Sequence, residues 1–337
     1  MNQQFMVDFN YNSNHLEGNA LTYGQTKLLL LFGDTTGNAP MQDYEEMKAH
    51  NVGLELMKIA ATDKERVLSE NFIRELNHTI LVRDFYKTSQ AGDFRYKINV
   101  GVYKTRPNSV ITPSGELFDY ASPEETPSLM ADLIAWYRHE EQKKNLTVVE
   151  LAALFHYRYI RIHPFEDGNG RIARLLVNYI LLRNHYPMIV IRTDDRVNYL
   201  KSLHQCDVLS GKIPSDGAHA TLAQSQPLID YISDVVEKKL IAVLQLAKGE
   251  IKELVEATDD TKRVTERATE RVTENQYIII NEIIKNERIT SKELSEIVGI
   301  SAISIRDNLA KLKARKIIKR IGGDRGGSWK IIKKVAV

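Results

Sequence analysis

The sequence predicts a mainly α fold: a helical core that carries a β-hairpin, followed by a small α+β domain. Three observations predict it. Apolar residues recur at three- and four-residue spacing through six segments before residue 257, which is helical periodicity. One stretch, 94–120, breaks that rhythm with β-branched and aromatic residues around proline turns. Charge is also divided: of the net +2, residues 274–337 carry +7 and the preceding residues −5. The length of 337 residues allows two or three domains, and 43% hydrophobic with 27% charged residues is the balance of an ordered globular protein.

The helical segments are 44–61, 65–87, 127–143, 147–161, 172–184 and 226–256, and the nine prolines fall largely between them. Residues 94–120, FRYKINVGVYKTRPNSVITPSGELFDY, predict the hairpin, with Pro107-Asn108 and Pro113-Ser114-Gly115 as its turn chemistry. Residues 258–274, TDDTKRVTERATERVTE, show one thin apolar stripe (Val264, Ala268, Val272) beside Arg–Glu pairs. This reads as a charged helical linker between a body, 1–257, and a tail, 275–337.

The tail reads as a winged helix-turn-helix. NQYIIINEIIKN forms a first helix, Ser291 caps a second that Gly299 closes, and Ser301 opens a third. KIIKRI and SWKIIKK then form a hairpin around a glycine-rich turn, which supplies the wing. Ser301, Ser304, Arg306 and Lys313 on the third helix, with Arg325 at the wing tip, are the candidate contacts to DNA. A basic tail also suits docking to a protein, or pairing with itself as a homodimer, and charge leaves these readings open.

Other classes are excluded more firmly. A single cysteine, Cys206, rules out a disulfide framework and any multi-cysteine metal site. The first residues, MNQQFMVDFNYN, lack the basic start and apolar core of a signal peptide, and 28-LLLLF-32 and 175-LLVNYILL-182 are too short to span a bilayer. A soluble cytoplasmic protein is expected.

The chemistry gathers in 163-HPFEDGNGRIAR-174, a loop that opens a helix. Gly168, Asn169 and Gly170 can turn so that backbone N–H groups converge where the helix N-terminus is positive. Arg171 and Arg174, three apart, lean toward the same anion, so the cradle suits more than one phosphate. Asp167 is a hard oxygen ligand suited to Mg²⁺ held largely by substrate phosphates. His163 titrates near neutrality and can act as a general base, while Phe165 points the other way and anchors the loop. Together these predict phosphoryl or nucleotidyl transfer.

HPFEDGNGRIAR resembles the Fic family motif, HxFx(D/E)GNGRxxR, at every defined position, and the resemblance extends over roughly residues 10–255. It implies a helical core with a β-hairpin flap near 98–118, and transfer of AMP from ATP to a Ser, Thr or Tyr hydroxyl of a protein. His163 would deprotonate that hydroxyl, and Asp167 would hold Mg²⁺. Gly168, Asn169, Gly170 and Arg171 would cradle phosphates, and Arg174 would grip the γ-phosphate. The stretch 192-RTDDRVNYL-200 resembles the family's segment beside the adenine, which points to Tyr199. The flap residues Asn108, Ser109, Val110, Ile111 and Thr112 would pair with the target peptide as an added strand.

Residues 13-SNHLEGN-19 also fit the inhibitory motif (S/T)xxxE(G/N) of autoinhibited members, through Ser13, Glu17 and Gly18. Glu17, on a helix near 10–32, would then pair with Arg174 and deny it to ATP. The resemblance leaves alternatives open. Relatives transfer UMP or phosphocholine, one branch phosphorylates, and in some the glutamate supports removal of AMP. A DNA-binding regulator with a nucleotide-sensing body is the reading from a different class.

Overall fold

A computed structural model describes residues 3–35, 37–88, 94–111, 117–247, 274–298, 301–315, 317–321 and 327–332. The chain divides into two units, 1–248 and 249–337. In the first, α1 (Gln3–His15), α2 (Tyr23–Phe32), α3 (Met41–Thr62) and α4 (Glu70–Leu81) precede four short strands. These are β1 (Phe85–Thr88), β2 (Arg95–Ile98), β3 (Val110–Ile111) and β4 (Leu117–Phe118). Then come α5 (Thr126–Lys143), α6 (Val148–Ile162), α7 (Asn169–Arg183), a single 3-10 turn, α8 (Arg196–Ser210), α9 (Pro214–Ala218) and α10 (Leu222–Ala247).

The centre is α6 and α7. Thr147 caps α6 and Glu150 reaches back to the Thr147 N–H, a reciprocal box that fixes where the helix starts. Both helices are buried nearly all round, so both must be covered on several sides. Helix α7 packs between α6 and α3, while α10, α9 and α5 cover α6. Phe155, Tyr159, Ile162, Phe165, Leu175 and Ile180 form the middle of this core.

Several boundaries differ from the periodicity. The segment read as one helix over 65–87 ends at Leu81, because Val82 takes a left-handed φ of 68° and the chain then extends into β1. Strand β2 pairs back onto β1 (Phe85↔Ile98 through Thr88↔Arg95), whereas β3 pairs with β4. The stretch read as one hairpin is therefore split between two, since the partner of 95–98 lay hidden in an apparently helical segment. The helix expected near 10–32 is also broken. Gly18 adopts φ 96°, and a second capping box, Thr22 with Gln25, starts α2 afresh. Helix α7 starts three residues before the periodic run, inside the glycine loop. The predicted linker falls outside the described residues up to Thr273, as does the end of the segment expected over 226–256.

In the second unit, α11 (Glu274–Lys285), α12 (Ser291–Val298) and α13 (Ala302–Ala314) are followed by β5 (Ile318–Ile321) paired antiparallel with β6 (Ser328–Ile331). Ile279, Ile283, Leu294, Ile305, Leu309 and Trp329 make a separate core. Ser301 caps α13 as expected. The cap of α12 is Thr290 rather than Ser291: its hydroxyl accepts from Glu293 N–H, and Glu293 returns the bond. Gly299 lies outside the described residues. Among those residues, no helix is long and apolar enough to cross a membrane.

The flap is tied to the core through Arg161, which is fully buried. Its guanidinium donates to Asp207 at 3.1 Å and to the Ile213 carbonyl at 2.8 Å, and lies 5.0 Å from the Phe118 ring of β4. Gly217 leaves no room beside it: a Cβ there would sit 2.3 Å from Arg161 Nε. Gly217→Ala is expected to lower stability by about 2 kcal/mol through overpacking, read from urea unfolding.

Candidate functional site

Helix α6 ends on His163, whose φ of 49° and N–H to the Tyr159 carbonyl (2.9 Å) stop the helix and turn the chain. Five residues later Gly168, at φ 81°, starts α7. A side chain at 168 would be strained there and would lie 3.1 Å from Asn77 Nδ2. The bend between is tied from both sides. Asn169 accepts from the Phe165 N–H at 3.0 Å and donates to its carbonyl at 2.6 Å. Asn77 on α4 donates to the Asp167 carbonyl at 2.9 Å and accepts from the Gly101 N–H at 2.8 Å. Phe165 is buried against Tyr103, which anchors the loop as its position suggested.

The His163 ring lies flat against Tyr120, with centroids 4.0 Å apart and 9° between planes. Burial, and then the nearby Lys104 ammonium, push its pKa down to about 3, so the ring is neutral in the folded protein. Its Nδ1 faces the side-chain nitrogens of Asn108 (2.5 Å) and Asn169 (3.2 Å).

Asp167 accepts from the Gly168 N–H at 2.5 Å, and its other oxygen meets Lys87 Nζ of β1 at 2.6 Å. Burial alone would raise this carboxyl, but Lys87 and Arg171 outweigh it and hold the pKa below the usual range. The donor set fits Mg²⁺ carried largely by a nucleotide's phosphates. One anionic carboxylate stands beside the helix N-terminus, and the described residues hold no cluster of three carboxylate, His or Cys ligands that would form a protein cage.

Both arginines are engaged by carboxylates. Arg171 pairs with Glu46 of α3 at 2.9 Å. Arg174 donates to the Ser13 hydroxyl (3.0 Å), the Ser13 carbonyl (2.8 Å) and Glu17 Oε1 (2.7 Å). Glu17 sits in the turn that follows α1 and not on a helix, with Gly18 reversing the chain just after it. Its carboxylate lies over Gly170, so close that a Cβ there would be 2.2 Å from Oε1. A negative group thus already occupies the N-terminal turn of α7, where the helix favours an anion.

His163, Asp167, Gly168, Asn169, Gly170, Arg171, Arg174, Ser13 and Glu17 are brought together. Tyr199 is placed differently from an open base contact: it is buried in the core, its hydroxyl 2.9 Å from His156 Nε2 and its ring 5.8 Å from Tyr231. In the flap, Ser109 donates to Asp119, Val110 and Ile111 form β3, and Thr112 lies outside the described residues. In the second unit Ser301 and Ser304 are joined in the cap of α13, Arg306 and Lys313 are exposed, and Arg325 lies outside the described residues. The spacing did not reveal Asn77, Lys87, Lys104, Tyr120 or Glu46, because each reaches the loop from a distant element.

Fold and site together define a helical protein whose histidine-bearing bend opens an anion-binding helix, with a winged helix-turn-helix unit beyond. The profile of the Fic/DOC family matches residues 67–181, and that of winged helix-turn-helix DNA-binding domains matches 273–319. A solved Fic-domain-containing signalling protein from Bacteroides thetaiotaomicron is 62% identical, with a TM-score of 0.69, over 74% of this chain and 88% of that one. The chain belongs to the Fic/DOC family. It is also similar to the protein adenylyltransferases fic-1 of Caenorhabditis briggsae (26% identical over 72% of this chain) and Caenorhabditis elegans (29% over 58%). It spans 42% and 35% of the lengths of those two relatives.

Beneath the site, His156 is buried and its pKa falls from 6.5 to about 3, chiefly through desolvation. The unfolded chain then binds the proton that the folded one refuses, so stability is lost as pH drops from about 6.5 toward 3. His156→Gln is expected to flatten part of that slope in urea unfolding followed against pH.

Proposed function

We propose that this protein is an adenylyltransferase that moves AMP from ATP to a Ser, Thr or Tyr hydroxyl of a protein, itself included, and that Glu17 holds it off. The observation that carries this reading is the Glu17 carboxylate seated on Arg174 and over Gly170, at the mouth of the bend that bears His163. That seat is built for an anion, and an acidic side chain fills it.

With Glu17 withdrawn, Arg174 is free to pair with the γ-phosphate, and the N-terminal N–H groups of α7 face the other phosphates. Arg171 lies alongside, braced by Glu46. The target hydroxyl gives its proton to His163 as its oxygen attacks the α-phosphorus; the bond to the β-phosphate breaks and pyrophosphate leaves. Asp167 would hold Mg²⁺, giving up Lys87 to do so, and the ion would neutralise charge building on the phosphates. The edge of β3 and the residues about it, 108–112, offer a strand for the target backbone. Tyr199 would act from behind, buttressing Arg174 rather than stacking on the base. ATP as donor and a buried, unpaired Cys206 suit a cytoplasmic setting.

Glu17→Gly is expected to raise AMP transfer roughly tenfold or more, since a competing carboxylate worth about 1.4 kcal/mol suppresses nucleotide binding by that factor. His163→Ala should abolish transfer. Intact-mass analysis after incubation with Mg²⁺ and each nucleoside triphosphate reads both effects, and a mass other than AMP's would reassign the donor. Equal labelling of wild type and Glu17→Gly would remove the inhibitory role.

The winged-helix match supports a second function alongside the first, binding of duplex DNA through α13 and the wing, with a homodimer presenting two such units. Arg306→Ala and Lys313→Ala are each expected to reduce the slope of log K against log salt by about 1, measured by titration of duplex DNA. A slope that neither substitution alters would make the unit a protein-docking module.

A further inference from the structure

Asn108 stands two residues before β3, and its amide is held at both ends. Its oxygen accepts from Lys104 Nζ at 2.8 Å, and Lys104 also donates to the Ile162 carbonyl at 3.0 Å. Its nitrogen lies 2.9 Å from the Phe165 carbonyl and 3.1 Å from the His163 carbonyl, two acceptors that identify it as the donor end. The same nitrogen is 2.5 Å from His163 Nδ1. Asn169 presents a second amide nitrogen 3.2 Å from Nδ1, oriented by its two bonds to the Phe165 backbone. Two donors converge on one ring nitrogen, which must therefore accept. A neutral imidazole that accepts at Nδ1 carries its proton on Nε2.

A ring in that state has no lone pair to offer: Nδ1 is engaged and Nε2 is protonated. We propose that Asn108, anchored by Lys104, is a positioning residue that holds His163 in the Nε2–H tautomer and keeps the base off until the root of the flap moves. The catalytic consequence rests on the adenylyl-transfer reading; the tautomer does not. Withdrawal of Asn108 removes the shorter of the two contacts to Nδ1 and leaves only the longer one from Asn169, so an Nδ1–H can form. One proton then leaves Nε2 for water and another arrives at Nδ1 from water, so the ring stays neutral and Nε2 opens to the hydroxyl. Because Asn108 adjoins the strand edge offered to a target, docking of a peptide on β3 and release of the base would be one event. This restraint is separate from Glu17, which bonds to Arg174.

Long-range ¹H–¹⁵N spectra of ring-labelled protein test this, with the His163 signals assigned by their loss in His163→Gln. At neutral pH the wild type is expected to show a bare Nδ1 and a protonated Nε2. Asn108→Asp, whose carboxylate only accepts, should move the proton to Nδ1, and Asn108→Ala should give a mixture. The charged groups facing the ring in the wild type are Lys104, Lys87 and Asp167; Asn108→Ala leaves them unchanged and is the uncharged comparison, whereas Asn108→Asp adds a carboxylate. In the Glu17→Gly background, Asn108→Ala should raise kcat several-fold with KM for ATP unchanged. A protonated Nδ1 in the wild type, one tautomer common to all three, or a fall in kcat on Asn108→Ala overturns the proposal. Absence of any AMP transfer by Glu17→Gly beside the expected tautomers would sink the transferase reading and leave the tautomer assignment standing.

Discussion

The short bend between α6 and α7 sets the positions of His163 and Asp167 and of the helix turn that carries Arg171 and Arg174. It joins two helices buried nearly all round, so neither end can shift without opening the core. Two left-handed residues make the turn, His163 at one end and Gly168 at the other. Glycine takes that conformation freely; histidine does so at a cost of order 1 kcal/mol, which the surrounding packing has to offset. Strain at the residue that bears the imidazole is understandable if the conformation aims the ring. Tyr120 then covers a face of the ring, while Asn108 and Asn169 meet its Nδ1.

Charge at the bend is balanced locally, and the pairings form a pattern. Each cation that could serve a nucleotide is paired with a carboxylate, Arg174 with Glu17 and Arg171 with Glu46, and the one carboxylate suited to a metal is paired with Lys87. Arg171 and Arg174 are almost fully buried, where an unpaired charge would be heavily penalised. The carboxylate partners are more exposed than the arginines they hold, Glu17 most of all, at 39% of its side chain. On the proposed function, a partner at the surface is the one that would leave, and a phosphate would replace it without stranding the arginine. The fold therefore holds the bend with its buried arginines paired.

The sequence made the core of this site legible because the chemistry is local. From His163 to Arg174 the contributing residues are contiguous, and helix geometry brings Arg171 and Arg174 onto one turn. Glu17 was legible only through a second short motif, since nothing in its spacing from Arg174 implies contact across 157 residues. Lys87, Lys104 and Tyr120 were illegible for the same reason: Lys87 ends a segment whose pattern read as helix, and Lys104 and Tyr120 lie in the stretch read as a hairpin. One helix boundary was misplaced where a positive φ overrode continuing periodicity, at Val82, and the helix that the inhibitory motif implied is broken where Gly18 turns. Periodicity registers which face is apolar; it does not register a single residue that turns the chain.

The split hairpin shows why that limit matters to function. Because β2 pairs with β1, the segment from Val100 to Asn108 is free to cross the mouth of the bend instead of continuing as a ribbon. The Lys104 N–H donates to the Pro164 carbonyl at 2.8 Å, and the Thr105 N–H and hydroxyl both donate to Glu166. The flap strand β3 thus begins at a segment already stitched to the loop that bears His163. A rigid ribbon over 94–120 would have carried the flap as a distant arm. The observed pairing instead makes the root of the flap part of the wall around His163, with Asn108 against the imidazole.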